Sequence, residues 1–522
     1  MKRLVAGLVA AAAVLALVVG VGVVVGLVVV RAVVHHRSSA AGTVPTTTPG
    51  PGATGPPRPA LARFYGQQVS WSSCRDGDLC AKLTVPLDYA KPAGPTLGLA
   101  LLKVPATEPA ARIGSLVVNP GGPGASGTDY AANATQVFRD PVLQAYDVVG
   151  FDPRGTGASD PVDCLGDGEL DQYVAEDPDP DTPAEVASYE HFVRALGAGC
   201  RGRSGELAAH VTTVEAARDL DVLRAALGEG RLDYFGASYG TKLGATYADL
   251  FPARVGRMVL DGAVDPELSS RELSLEQAGG FETALRAYVT DCVESQDDCF
   301  LGHSVDAGTG RIRGLLDQVD AHPLPTADGR GLRVGNAFYG VVLPLYNRDY
   351  WPVLSQALQA AFAGQGDLLL RLSDLYNARG VDGYTDNSVE ANYAINCLDD
   401  PWSLPPAQVP AAYPDFERAS PTFGRVFAWG LATCGGMRVS SQAQDRTIRA
   451  AGAPPIVVVG TTRDPATPYA WAVSLARQLR SGVLVSRDGD GHTGYNAGNA
   501  CVDRAVESYL DDGTVPADGL SC

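Results

Sequence analysis

Six short apolar runs dominate the chain: SLVVNPGG from residue 115, YDVVGFDPRG from 146, LDYFGAS from 232, RMVLDGA from 257, IVVVGTT from 456 and GVLVSRD from 482. Each is rich in β-branched or aromatic residues, and each stops at Gly, Asp, Ser or Thr. Strands that are apolar throughout, rather than alternating, belong to a parallel sheet covered on both faces. Stretches of helical spacing fit between them, among them VTTVEAARDLDVLRAAL before LDYFGAS and TKLGATYADLF after it. Two further strands, AKLTVPLDY and LGLALLKVPA, form an antiparallel opening.

The alternation stops between Asp265 and Ala451, where helix-like segments such as LEQAGGFETALRAYVTDCV and YWPVLSQALQAAFAGQ mix with Pro- and Gly-rich loops. The chain therefore divides into a first α/β part (61–264), a helical insertion (265–451) and a closing α/β part (452–522). Ahead of these, Leu4 to Val30 is uninterrupted apolar sequence behind two cations. At about 1.5 Å per residue it exceeds a bilayer core of about 30 Å. Residues 1–37 thus read as a membrane anchor or a long signal segment. Residues 38–60, rich in Ser, Thr, Pro and Gly, read as a linker. Both readings place the rest of the chain outside the cytoplasm.

All ten cysteines lie beyond that linker, and an even number in an exported chain suggests disulfides. Pairing neighbours in order closes local loops: 74 with 80, 164 with 200, 292 with 299, 397 with 434, 501 with 522. No CxxC or clustered His spacing points to a metal, and nothing implies a cofactor. The net charge of −18 excludes nucleic acid as a partner, because phosphate binding needs a cationic surface.

In LDYFGASYGTKLG, Ser238 sits between two glycines as GxSxG, with a strand-like run before it and a helical run after it. That is the setting of a nucleophile elbow. A serine hydroxyl needs a base within reach. Of the seven histidines, His35 and His36 lie beside the apolar segment, His191 and His210 precede the Ser238 strand, and His303 and His322 lie in the insertion. His492, in GVLVSRDGDGHTGY, follows a late strand in a glycine-flanked loop. The base needs a carboxylate, and Asp464 in IVVVGTTRDPATPY supplies it in the order Ser, Asp, His; Asp261, Asp265, Asp488 and Asp490 are competitors. Oxyanion donors come from the N–H of Tyr239 and of Gly122 in VVNPGGPGASG, with Gly121 the near alternative.

Taken together, AKLTVPLDYAKP, NPGGPGASG, YDVVGFDPRGTGAS, YFGASYGTKLG, RMVLDGAVDP, AINCLDD, TTRDPATPY and GDGHTGY resemble exported tripeptidyl aminopeptidase-like serine hydrolases, relatives of proline iminopeptidases. The resemblance runs from about residue 64 to the C-terminus. It implies an α/β-hydrolase fold, a mostly parallel eight-stranded sheet with helices on both faces and an inserted helical cap. The activity it implies is release of short peptides, typically tripeptides, from free N-termini through an acyl-enzyme on Ser238. It also implies acidic groups near the cap that receive the substrate ammonium, for which Glu390, Asp399 and Asp400 are the candidates. A carboxylesterase or lipase would use the same triad. Family members usually carry Trp and Pro soon after the cysteine corresponding to Cys434, where this chain has GGMRV.

Overall fold

The structure is a computed structural model that describes residues 46–47, 55–75, 77–295, 298–437 and 447–522. The apolar N-terminal segment lies outside the described residues, as does most of the linker. Among the described residues no helix is long and apolar enough to cross a membrane. The end of the expected linker is docked on the body: Arg254 donates to the carbonyl of Gly55 at 2.6 Å, and Arg58 donates to that of Tyr89.

Eight strands carry the architecture: β1 (Leu79–Pro86), β2 (Thr96–Val104), β3 (Gly114–Asn119), β4 (Tyr146–Phe151), β5 (Leu232–Ala237), β6 (Val255–Asp261), β7 (Ile456–Arg463) and β8 (Gly482–Asp490). They lie in the order β1-β2-β4-β3-β5-β6-β7-β8, antiparallel from β1 to β4 and parallel from there on. Two-residue strands at the edges, Ser72–Ser73 and Leu520–Ser521, extend the expected eight to ten. They are too short to carry a periodic signal in sequence.

Alternate strand residues feed two separate cores, which is why the runs are apolar throughout. Val117, Tyr234 and Val458 pack on one face with Leu223 of α2 (Thr213–Ala226), Leu243 of α3 (Tyr239–Leu250) and Leu475 of α6 (Tyr469–Gln478). On the other face Val118, Phe235 and Val459 pack with Ala131, Val142 and, from α7 (Ala500–Asp512), Val502 and Val506. Fully burying each of the Val, Leu and Phe side chains contributes about 1.5–3 kcal/mol.

Between β6 and β7 the described residues are mostly helical, and Phe281, Ile312, Trp351, Leu354 and Phe423 form a separate core. The long first helix of this stretch is α4 (Ser270–Ser295) and a later one is α5 (Ser388–Asp399). A second helical excursion lies inside the expected first α/β part. It includes α1 (Pro183–Ser204), which lies against the turn Thr433–Gly436. Gly436 in this turn is packed closely against that helix and α5. A Cβ on Gly436 would overlap the carbonyl of Val193 and stand 3.2 Å from the Tyr393 hydroxyl oxygen.

The five disulfides pair as neighbours in order: 74–80, 164–200, 292–299, 397–434 and 501–522. The fourth ties α5 to the Thr433–Gly436 turn, and the last ties α7 to Cys522, the residue after the edge strand Leu520–Ser521.

Candidate active site

Strand order reverses at β3, which has β4 on one side and β5 on the other. The carboxyl ends of β3 and β5 therefore open a crevice, the usual ligand position in open α/β sheets. Ser238 stands there between β5 and α3 with φ 56° and ψ −127°. A non-glycine residue at this φ is strained, and the surroundings must hold it. The Ser238 N–H donates to the carbonyl of Asp261 at 2.9 Å, and its own carbonyl accepts from Thr241 N–H at 2.8 Å and Thr241 Oγ1 at 2.6 Å. Gly240 is required by crowding: a Cβ there would stand 2.6 Å from the carbonyl oxygen of Asn119.

His492 and Asp464 arrive from the loops after β8 and β7. Nδ1 of His492 is 2.9 Å from both carboxylate oxygens of Asp464. The carboxylate also accepts the N–H groups of Ala466 (3.0 Å), Thr467 (2.9 Å) and Thr493 (3.2 Å). With 2 % exposure and these donors, Asp464 is fixed as an acceptor. Burial pulls the His492 pKa down, but the charge and hydrogen bond of Asp464, with the charge of Asp261, outweigh it and leave it above the ordinary value. Nε2 of His492 is buried and makes no hydrogen bond among the described residues. Gly262, at φ 66°, lies against the imidazole: a Cβ there would be 3.1 Å from His492 Cε1. Because Asp261 binds the Ser238 N–H, the same strand end touches both residues.

The competing carboxylates have other partners. Asp265 accepts from Gln478 at 2.6 Å and from the N–H of Glu267 at 3.0 Å. Asp488 and Asp490 pair with Arg463 at 2.8 and 2.5 Å. Asp261 accepts from the N–H groups of Gly494 and Tyr495 and makes no hydrogen bond to the ring.

The loop after β3 separates the two oxyanion candidates. Gly121 N–H is already bound by Asn119 Oδ1 at 3.0 Å. The N–H groups of Gly122 and Tyr239 have no acceptor among the described residues. Gly121, at φ 97°, lies directly on the turn: a Cβ there would be 2.8 Å from Tyr239 N and 2.9 Å from Ser238 Cβ.

Comparison with known proteins agrees with this architecture. Residues 420–522 match the family described as TAP-like protein. The chain is 40% identical over 483 residues to serine protease Hip1 of Mycobacterium tuberculosis, covering 88% of this chain and 91% of that protein. It is 33% identical over 486 residues to tripeptidyl aminopeptidase of Streptomyces lividans, covering 89% and 88%. The chain belongs to the tripeptidyl aminopeptidase-like serine hydrolases. It is also 40% identical over 495 residues to a Mycobacterium tuberculosis protein named carboxylesterase B, covering 91% and 93%. The α/β-hydrolase fold and a serine hydrolase activity follow from membership.

Within this tripeptidyl aminopeptidase-like hydrolase, the three acidic candidates of the cap are held by internal contacts. Glu390 accepts the N–H groups of Cys164 (2.6 Å) and Leu165 (2.8 Å). Asp399 pairs with Lys242 at 2.7 Å and accepts Thr213 N–H at 2.9 Å. Asp400 accepts from Ser270 Oγ at 2.5 Å and Trp402 N–H at 3.1 Å.

Three contacts were not foreseen from sequence. Asn119, just before Pro-Gly-Gly, shapes the glycine loop, and its position in NPGG was the available signal. Thr467 Oγ1 lies 3.3 Å from His492 Nδ1. The main-chain carbonyl of Tyr346, in the insertion, accepts the main-chain N–H of His492 at 2.8 Å, and the Tyr346 ring stands edge-on to the imidazole at 5.5 Å. No sequence signal links that residue to the His492 loop.

Proposed function

We propose that the chain is an exported serine aminopeptidase that releases short peptides, typically tripeptides, from free N-termini through an acyl-enzyme on Ser238. The observation that carries this reading is the division of His492: Nδ1 held by Asp464, Nε2 unengaged, and Ser238 in its strained turn at the adjoining strand ends. In the mechanism, Nε2 takes the Ser238 Oγ proton as Oγ attacks the scissile carbonyl. The oxyanion is received by the N–H groups of Gly122 and Tyr239, each donor worth about 10²–10³ in rate. The imidazolium, stabilised by Asp464, then protonates the leaving amine, and water repeats the sequence on the acyl-enzyme.

A restricted acyl side is supported by the roof over the glycine loop. A Cβ on Gly124 would be 2.7 Å from the carbonyl oxygen of Ser388, and Asn392 Nδ2 donates to the Pro123 carbonyl at 3.2 Å, so α5 closes directly over this loop. Tripeptide release is the activity in the name of the Streptomyces relatives. Export is supported by five disulfides, which persist in oxidising compartments, and by the apolar N-terminal run, which also makes the membrane a partner.

The 40% identical relative named carboxylesterase B favours ester hydrolysis as a second reading. Turnover of tripeptidyl arylamides, single-residue arylamides and p-nitrophenyl esters separates the two. The peptidase reading expects the tripeptidyl arylamide to have the highest kcat/KM among the amides and its N-acetyl derivative to be poor. Activity on esters alone defeats it.

A further inference from the structure

Asp261, at the end of β6, is 1 % exposed and has no part in the mechanism above. Three of its atoms hold the two halves of the site. Its main-chain carbonyl accepts Ser238 N–H at 2.9 Å. Its Oδ1 accepts Gly494 N–H at 2.8 Å and its Oδ2 accepts Tyr495 N–H at 2.9 Å. Those amides follow His492 by two and three residues, so the carboxylate grips the loop immediately beyond the imidazole. The loop comes this close because residue 494 is glycine: a Cβ there would be 2.6 Å from Val459 Cγ1.

We propose that Asp261 is a positioning residue for His492: its carboxylate clamps the main chain at Gly494 and Tyr495 so that Nε2 faces Ser238, and its charge joins that of Asp464 in stabilising the imidazolium. The inference rests on the reading of Ser238, Asp464 and His492 as the catalytic residues. Asp464 and His492 face Asp261 across the site, Tyr130 from the helix Gly127–Ala132, Tyr495 from the loop and Arg487 from β8. Burial pushes the carboxyl up to about 6, against the pull of the Tyr495 and Gly494 N–H groups and of His492, with Asp464 adding to the rise. Protonation of this carboxyl at about 6 therefore weakens the clamp on the acid side of the pH at which His492, held above its ordinary value, gains its proton. The acid limb of kcat/KM then takes two protons in turn, starting with a slope of one on logarithmic axes and steepening towards two below about pH 6.

Asp261→Asn preserves shape but offers one acceptor to two amides. The test measures its kcat, KM, pH profile and rate of labelling by a fluorophosphonate, alongside wild type. The expected result is labelling of wild type at Ser238, and in the variant a fall of at least about tenfold in kcat and in labelling rate, KM within about threefold, and an acid limb of slope one. Unchanged labelling rate, kcat and slope in the variant overturn the proposal. Failure of wild type to label at Ser238 defeats the catalytic reading instead. If the variant does not fold, the wild-type profile decides: a limb that steepens beyond a slope of one below about pH 6 supports the clamp, and a slope that stays at one overturns it.

Discussion

Nδ1 of His492 lies 2.9 Å from each carboxylate oxygen of Asp464, while Nε2 of the same ring makes no hydrogen bond among the described residues. One nitrogen is committed to orientation and the other is left for a proton. Asp464→Asn keeps the size of the side chain but loses the charge and misplaces a donor, so kcat should fall by about 10⁴. The imidazole must be neutral to act as base. Because Asp464 raises the His492 pKa against burial, wild-type activity should fall away on the acid side from above pH 6.5, the ordinary value for histidine. In Asp464→Asn the same limb should move to lower pH. A kcat/KM profile on a tripeptidyl arylamide checks both; a variant limb at or above the wild-type one contradicts the assignment.

The contact of Gly121 with the nucleophile turn gives a second expectation. In Gly121→Ala the new methyl would meet the Ala237 carbonyl oxygen at 2.6 Å, Tyr239 N at 2.8 Å and Ser238 Cβ at 2.9 Å, at a φ of 97°. None of these is the far end of a flexible side chain, so the glycine loop must shift and the Gly122 N–H with it. Loss of that donor costs about 10²–10³ in kcat. Steady-state kinetics should show the loss in kcat with KM changed little, and wild-type turnover would refute the placement of the oxyanion donors.

The third concerns Asp399, which joins α5 to Thr213 and Lys242. The Lys242 side chain is 27 % exposed and that of Asp399 8 %, so the pair is partly screened. Asp399→Asn should lower stability by about 1–3 kcal/mol in denaturant unfolding. Preference for a free over an N-acetylated tripeptidyl arylamide should stay the same. Selective loss of that preference would make Asp399 the receptor of the substrate ammonium.

How far the site was legible follows from where its contacts lie in sequence. Ser238, Asp464 and His492 each sit just past an apolar strand, and the sheet places strand ends together, so order and local spacing pointed to them. The disulfides likewise close local loops. The partners of Asp399 lie 186 and 157 residues away, and the Tyr346 carbonyl reaches His492 from the insertion. Contacts between separately folded stretches leave no periodic trace. The excursion containing α1 was also hidden: its buried residues Val193, Leu196, Gly197 and Cys200 include two small ones, which weakens the apolar stripe.

The central claim is that Ser238 is the nucleophile. Its most direct test is kcat of Ser238→Ala on a tripeptidyl arylamide, beside wild type of equal thermal stability. The account predicts a loss of about 10⁶, the usual cost of removing such a nucleophile. Turnover within tenfold of wild type would contradict it.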